Sequence, residues 1–270
     1  MDENENKETN VNSTINAVAG LVAAIPVYQD AVQPAAKQIG SALETVTKTV
    51  NIALAPIKFL VWGYETIEGF ISIKVTEKLK NVPPENIVSP PTSVAGPAIE
   101  ALRFCGEENE VRELYANLLA AAMDSSTQDL VHPGYVEILK NLCSDEALLL
   151  QSFLDKKSYP LLNIRAEFDN GGTKMIYNNY SHFDRITKLK NKKLTPTYID
   201  NLNRLGITTI PEDVWLHDEG IYKPLENDKS MAVFKKGIEN FNAKMKLEKR
   251  YIKLTNFGKH FVENVVKEKE

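Results

Sequence analysis

Residues 96–124, GPAIEALRFCGEENEVRELYANLLAAAMD, constrain the fold of this chain more than any other stretch. Val111, Leu114, Tyr115, Leu118, Leu119 and Ala122 follow the i, i+3, i+4, i+7 spacing of an amphipathic helix. Glu107, Glu108 and Glu110 crowd its start, where carboxylates suit the positive end of the helix dipole. A Leu- and Ala-rich face this wide has to be covered by other helices. The spacing predicts a short helix near 97–105, a break at Gly106 and a longer helix over 107–124.

The flanking segments have the patterns to supply partners. Residues 1–12 read as a disordered tail, with Asp2, Glu3, Glu5 and Glu8 against Lys7 and almost nothing apolar. Residues 13–82 read as an N-terminal segment of amphipathic helices. In it Val32, Ile39, Leu43, Val46, Val50 and Leu54 form a stripe opposite Lys37, Ser41, Glu44 and Lys48. Pro56 kinks or ends that helix, and helical spacing resumes over 59–79. Two readings of the stripe stay open: a helix hairpin packed on the core, or a face that lies on a membrane or self-associates into a homo-oligomer. Its mixed Lys and Glu polar side weakens the lipid reading. Residues 83–96, bracketed by Pro83, Pro84, Pro90, Pro91 and Pro97, read as an extended connector and the best domain boundary. Residues 97–156 form a central helical bundle. Pro133 suits the first turn of a helix there, and Ser144 is the N-cap, with Asp145 and Glu146 in the first turn, of EALLLQSFL.

After Lys157 the pattern changes, and residues 157–270 read as an α+β region. LLNIRAEF and TKMIYNNY flank DNGG as a β-hairpin. TPTYIDNLNRLG is a helix opened by Thr195 and Pro196 and closed by Gly206; ITTI is a short strand. MAVFKKGIENFNAKM is a further helix, KRYIKLT is strand-like, and NFGKHFVENVV is a closing helix that Thr255 caps. This order is winged-helix-like, with Leu202, Leu205 and Ile207 directed into a small core and Tyr251, Ile252 and Leu254 on the wing's return strand. The expected fold class is therefore mainly α, ending in a winged-helix-like α+β region.

At 270 residues the chain has room for about two domains. Its net charge of −4 argues against a surface that binds nucleic acid everywhere, but leaves room for a local basic face. Arg185, Lys188, Lys190, Lys192 and Lys193 are such a run, and Arg204 lies on the helix that would serve as the recognition helix, beside Thr197, Asp200, Asn201 and Asn203. Phe183 is the adjacent ring that could stack on a base. Cys105 and Cys143 sit among apolar residues and read as buried, reduced thiols. With four scattered histidines they make no metal-ligand spacing, so no metal, cofactor or catalytic residue is expected. His132, before Pro133 at a helix start, reads as a capping or buried residue. The polar, acidic N-terminus is no signal peptide, and no stretch reaches the roughly 18 apolar residues of a spanning helix.

With these residues in hand, the chain resembles the Abi-alpha family, the abortive infection alpha proteins of bacteria and mobile elements. The similar strings are VYQDAVQPAAKQIG, TVNIALAPIKFLVWGYE, NVPPENIVSPP, VAGPAIEALRFCGEENEVRELYANLLAAAMD, VHPGYVEILKNLCSDEALLL and YIKLTNFGKHF, in that order over about residues 18–265. The resemblance implies a part in antiphage defence or mobile-element biology and brings no agreed catalytic residues to carry over. The expectation is a cytoplasmic, non-enzymatic defence effector or sensor. It would work through contact with a protein or phage component, or with a membrane surface. A winged-helix regulator that binds nucleic acid is the alternative, and an unrecognised hydrolase a distant third.

Overall fold

The computed structural model describes residues 64–105, 108–155 and 158–268. The acidic tail and the stripe of Val32, Ile39, Leu43, Val46, Val50 and Leu54 lie outside them. The chain divides into two compact units, residues 1–144 with 263–270, and residues 145–262.

The described part of the first unit is helical: α1 (Tyr64–Leu79), α2 (Thr92–Leu102), α3 (Asn109–Ala122) and α4 (Gly134–Leu139). The predicted stripe on α3 is buried throughout, from Val111 to Ala122. Ala116, Asn117, Ala120 and Ala121 are buried as well, so the second half of the helix is enclosed on every side rather than along one face. Small alanines there let α1, α2 and α4 approach closely. α1 contributes Ile67, Ile71, Val75 and Leu79, four residues apart and each 2 % exposed or less. Burying an aliphatic side chain of this kind is worth about 1.5–3 kcal/mol. The polar Asn117 is accommodated because its Nδ2 donates to the Val265 carbonyl at 2.8 Å.

The connector departs from expectation. Pro84–Asn86 is a 3₁₀ turn, Ile87 bridges to Asp124, and α2 starts at Thr92 and runs through Pro97. A proline inside a helix costs about 3 kcal/mol. Val94, Ala95, Ala98, Ile99 and Leu102, all nearly fully buried, offset that cost.

In the second unit, α5 (Ser144–Asp155) leads into β1 (Ser158–Phe168), β2 (Thr173–Tyr180) and a short α6 (Phe183–Ile186). Then come α7 (Thr195–Arg204), β3 (Thr208–Thr209), α8 (Lys223–Glu226), α9 (Lys229–Glu239), β4 (Ala243–Leu254) and α10 (Asn256–Phe261), which continues as a π-helical turn, Val262–Val266. The four strands form an antiparallel sheet in the order β2-β1-β4-β3. The β1–β2 hairpin turns at 169–172, where Gly171 takes φ +81° and the Gly172 N–H donates to Asn170 Oδ1 at 2.9 Å. β4 pairs with β1 from Ser158↔Lys253 to Phe168↔Ala243, and is longer than the strand expected at KRYIKLT. Ile164, Ala166 and Ala243 of the sheet pack with Met231 and Ile238 of α9.

Candidate functional site

Asp145 sits in the first turn of α5, as the helix dipole favours, but its carboxylate is only 4 % exposed and faces a distant loop. It accepts the Lys190 N–H at 2.7 Å, the Asn191 N–H at 2.8 Å and the Tyr198 hydroxyl at 2.9 Å. Burial by itself would raise the pKa of this carboxyl. The Asn191 and Lys190 amides and the Tyr198 hydroxyl outweigh burial and hold it below the ordinary carboxylate range. Leu189, in the same loop, is buried, and Lys192–Leu194 form a 3₁₀ turn that enters α7. The side chains of Lys188, Lys190, Lys192 and Lys193 are left exposed on a backbone whose position is set from inside the unit.

The two arginines of the expected site behave differently. Arg185, on α6, pairs with Asp228, which also takes His182 Nε2 at 3.1 Å and caps α9 by accepting the Ser230 N–H at 2.8 Å. Burial would raise the Asp228 carboxyl, but the Ser230 backbone and side chain and Arg185 hold it far below the ordinary range. Arg204 lies nine residues further along α7 from Thr195, about 13 Å at helical rise. It donates Nε and Nη2 to Asn201 Oδ1 at 2.9 and 2.7 Å. Asn201 Nδ2 in turn donates to Glu146 Oε1 at 2.7 Å, and Asn179 Nδ2 donates to Asp200 at 2.8 Å. Phe183 is not available to stack on a base. It is buried between Phe153 and Tyr159, with ring centroids 6.0 and 4.8 Å away.

Charge is segregated between the units. Residues 145–262 hold 20 Lys and Arg against 15 Asp and Glu, net +5, whereas the remainder holds 12 against 21, net −9. The modest total charge conceals this, because the two halves cancel.

The other candidates resolve into structural roles. His132 Nδ1 accepts the Gly134 N–H at 2.9 Å, a cap for the start of α4. Glu108 accepts the Ser144 N–H at 3.1 Å, and Glu113 pairs with Lys74 and Lys78. Cys105 and Cys143 form no disulfide and are half-buried, more open than expected. Cys105 lines an open cavity of about 450 Å³ with Phe104, Glu108 and Tyr115. Burial and then Glu108 push its thiol up to about 11, with Arg112 opposing, so it is protonated at neutral pH and a poor nucleophile. Among the described residues no cluster of three His, Cys, Asp or Glu could hold a metal, and no helix is long and apolar enough to cross a membrane.

Sequence reasoning missed Asp228 and the long-range partners of Asp145 and Glu146. Asp145 and Glu146 carry only a helix-start signal, and their partners lie 45 to 55 residues away. For Asp228 the run Asp-Lys-Ser before an apolar repeat is a readable N-cap signal.

The family model described as "Abortive infection alpha" matches residues 64–265. VYQDAVQPAAKQIG and nearly all of TVNIALAPIKFLVWGYE fall before that span. No curated protein matches this chain. A solved structure described as that of an uncharacterized protein from the hydrocarbon-degrading marine bacterium Alcanivorax borkumensis SK2 is similar at 16 % identity and a TM-score of 0.36, covering 53 % of this chain and 96 % of that one.

Proposed function

The chain belongs to the abortive infection alpha family, and from that premise we propose that it is a non-enzymatic effector or sensor whose basic second unit contacts the phosphates of a nucleic acid. Membership implies an abortive-infection-related function; the mode of action is the proposal. The observation that carries it is the clamp of Asp145 on Lys190 and Asn191. A buried carboxylate stiffens a loop that carries four lysines, so less order has to be gained when an anion binds. The net charge of +5 on residues 145–262 adds a long-range attraction for a polyanion.

Two further observations support this reading. The acids Asp145, Asp228, Glu113 and Glu146 are each engaged in structural hydrogen bonds or ion pairs, which favours contact over chemistry. The succession α5, β1, α7, β3, β4, with β4 lying between β1 and β3, agrees with a winged-helix-like arrangement in which β2–α6 and residues 210–242 are insertions.

Fluorescence anisotropy of the full chain on a labelled DNA duplex tests the proposal. Binding that weakens steeply between about 50 and 200 mM salt is expected. It should weaken further when Lys188, Lys190, Lys192 and Lys193 are changed to alanine. No binding at low salt, or binding that ignores salt, would remove it.

A further inference from the structure

We infer that this contact, if the nucleic-acid reading above holds, is made to the phosphate backbone and takes no account of base sequence, because two of the three base-reading side chains on α7, Asn201 and Arg204, are already engaged within the protein and only Asn203 is left over. Base edges are read by Arg, Asn and Gln in directed, often bidentate hydrogen bonds. α7 carries three such residues, Asn201, Asn203 and Arg204. Two of them are linked in a chain. Arg204 spends Nε and Nη2 on Asn201 Oδ1, and Asn201 spends Nδ2 on Glu146 Oε1. Glu146 is 4 % exposed, so the chain ends on an anchored acid. Asp200, exposed on the same helix, accepts Asn179 Nδ2 and adds a carboxyl to the surface of α7, which disfavours a polyanion there.

The lysines have the opposite properties. An ammonium group is a point charge on a flexible stem, suited to phosphate oxygens and without the planar fork that fixes an arginine on one base. Lys188, Lys192 and Lys193 are exposed and have no ion-pair partner among the described residues. Two adjacent acids thus act on different segments. Asp145 holds the lysine loop in place, and Glu146 holds Asn201 of α7 to the protein.

The test uses the full chain and two DNA duplexes of equal length and unrelated sequence, followed by anisotropy at several salt concentrations. Dissociation constants within about threefold of each other are expected, with a log–log salt slope near −3 to −4 for three to four lysine contacts. Lys192→Ala with Lys193→Ala should weaken both duplexes alike and flatten the slope by about 2. Asn201→Ala and Arg204→Ala should change neither affinity nor relative preference by more than about twofold. A preference of about tenfold or more for one duplex, abolished by Arg204→Ala, would overturn this inference and leave nucleic-acid binding standing. Failure to bind either duplex at low salt would overturn both.

Discussion

Gly258 lies so close to Ile207 that a Cβ at position 258 would meet the Ile207 carbonyl oxygen at 1.9 Å and its carbon at 2.7 Å. Thr255 closes the same joint. Its backbone N–H donates to the Ile207 carbonyl at 3.0 Å, its hydroxyl donates to the Gly206 carbonyl at 2.6 Å, and the hydroxyl oxygen accepts the Gly258 N–H at 2.9 Å. The strings LGI and LTNFG, which stand about fifty residues apart in the chain, are therefore two halves of one contact that joins the end of α7, β3 and the start of α10.

Gly258→Ala should destabilise the protein by about 3 kcal/mol, the upper end for overpacking, since backbone rather than a flexible side chain must move. Gly237→Ala is the control. It sits on α9, where an added methyl would meet nothing within 4 Å, and should stabilise by about 0.5–1 kcal/mol. Thermal denaturation of the two variants should shift in opposite directions; a common direction would discredit the Gly258 contact.

Asp145 should give stability a distinct acid dependence. A carboxylate whose folded pKa is depressed stabilises the protein above its unfolded value, about 3.9, and loses that contribution as pH falls through the folded value. Asp145→Asn should cost about 2 kcal/mol near neutral pH, because it removes a charged acceptor from three donors. The gap between variant and parent should narrow below about pH 4. Denaturant unfolding across that range checks this, and a gap that ignores pH would contradict it.

Glu113 accepts Lys74 Nζ at 2.9 Å and Lys78 Nζ at 3.0 Å, joining α1 to α3. Burial would raise its carboxyl, and the two lysines outweigh that and lower it. Lys78 is only 9 % exposed, so Glu113→Gln strands a nearly buried ammonium and should cost about 1–2 kcal/mol. Lys78→Met, which removes the charge and keeps the stem, should cost less. Chemical denaturation of the two variants ranks them; the reverse order would show that the pairing contributes little.

The stripe of Val32, Ile39, Leu43, Val46, Val50 and Leu54 is proposed as a membrane or self-association face. If it lies on lipid, the full chain should float with anionic liposomes, and Leu43→Asp with Val50→Asp should abolish flotation. If it self-associates, the same pair should lower the mass seen by light scattering. A variant that changes neither would confine the stripe to intramolecular packing.

Much of the architecture was legible from spacing alone. The stripe on α3, the hairpin at DNGG, the helix TPTYIDNLNRLG and the Thr255 cap follow from local rules, because periodicity and capping depend on neighbours within four residues. Other features were not. The extent of β4 follows from its full-length pairing with β1, and Asn242 at φ +55° separates it from α9 where the apolar pattern runs on. Pro97 reads as the end of an extended connector, yet α2 begins at Thr92, and burial of Val94, Ala95, Ile99 and Leu102 carries the helix through the proline.

The same division holds at the candidate site. The chain alone established that Lys188, Lys190, Lys192 and Lys193 form a basic run, and that Asp145 and Glu146 open a helix; composition and short spacings suffice for that. Folding settled which loop Asp145 holds, which helix residues Glu146 occupies, and that Arg185 and Arg204 are spent on Asp228 and Asn201. Those pairings join residues as much as 55 positions apart. A hydrogen bond across such a distance exists only once apolar burial has brought the two segments together, so nothing in either segment alone announces it.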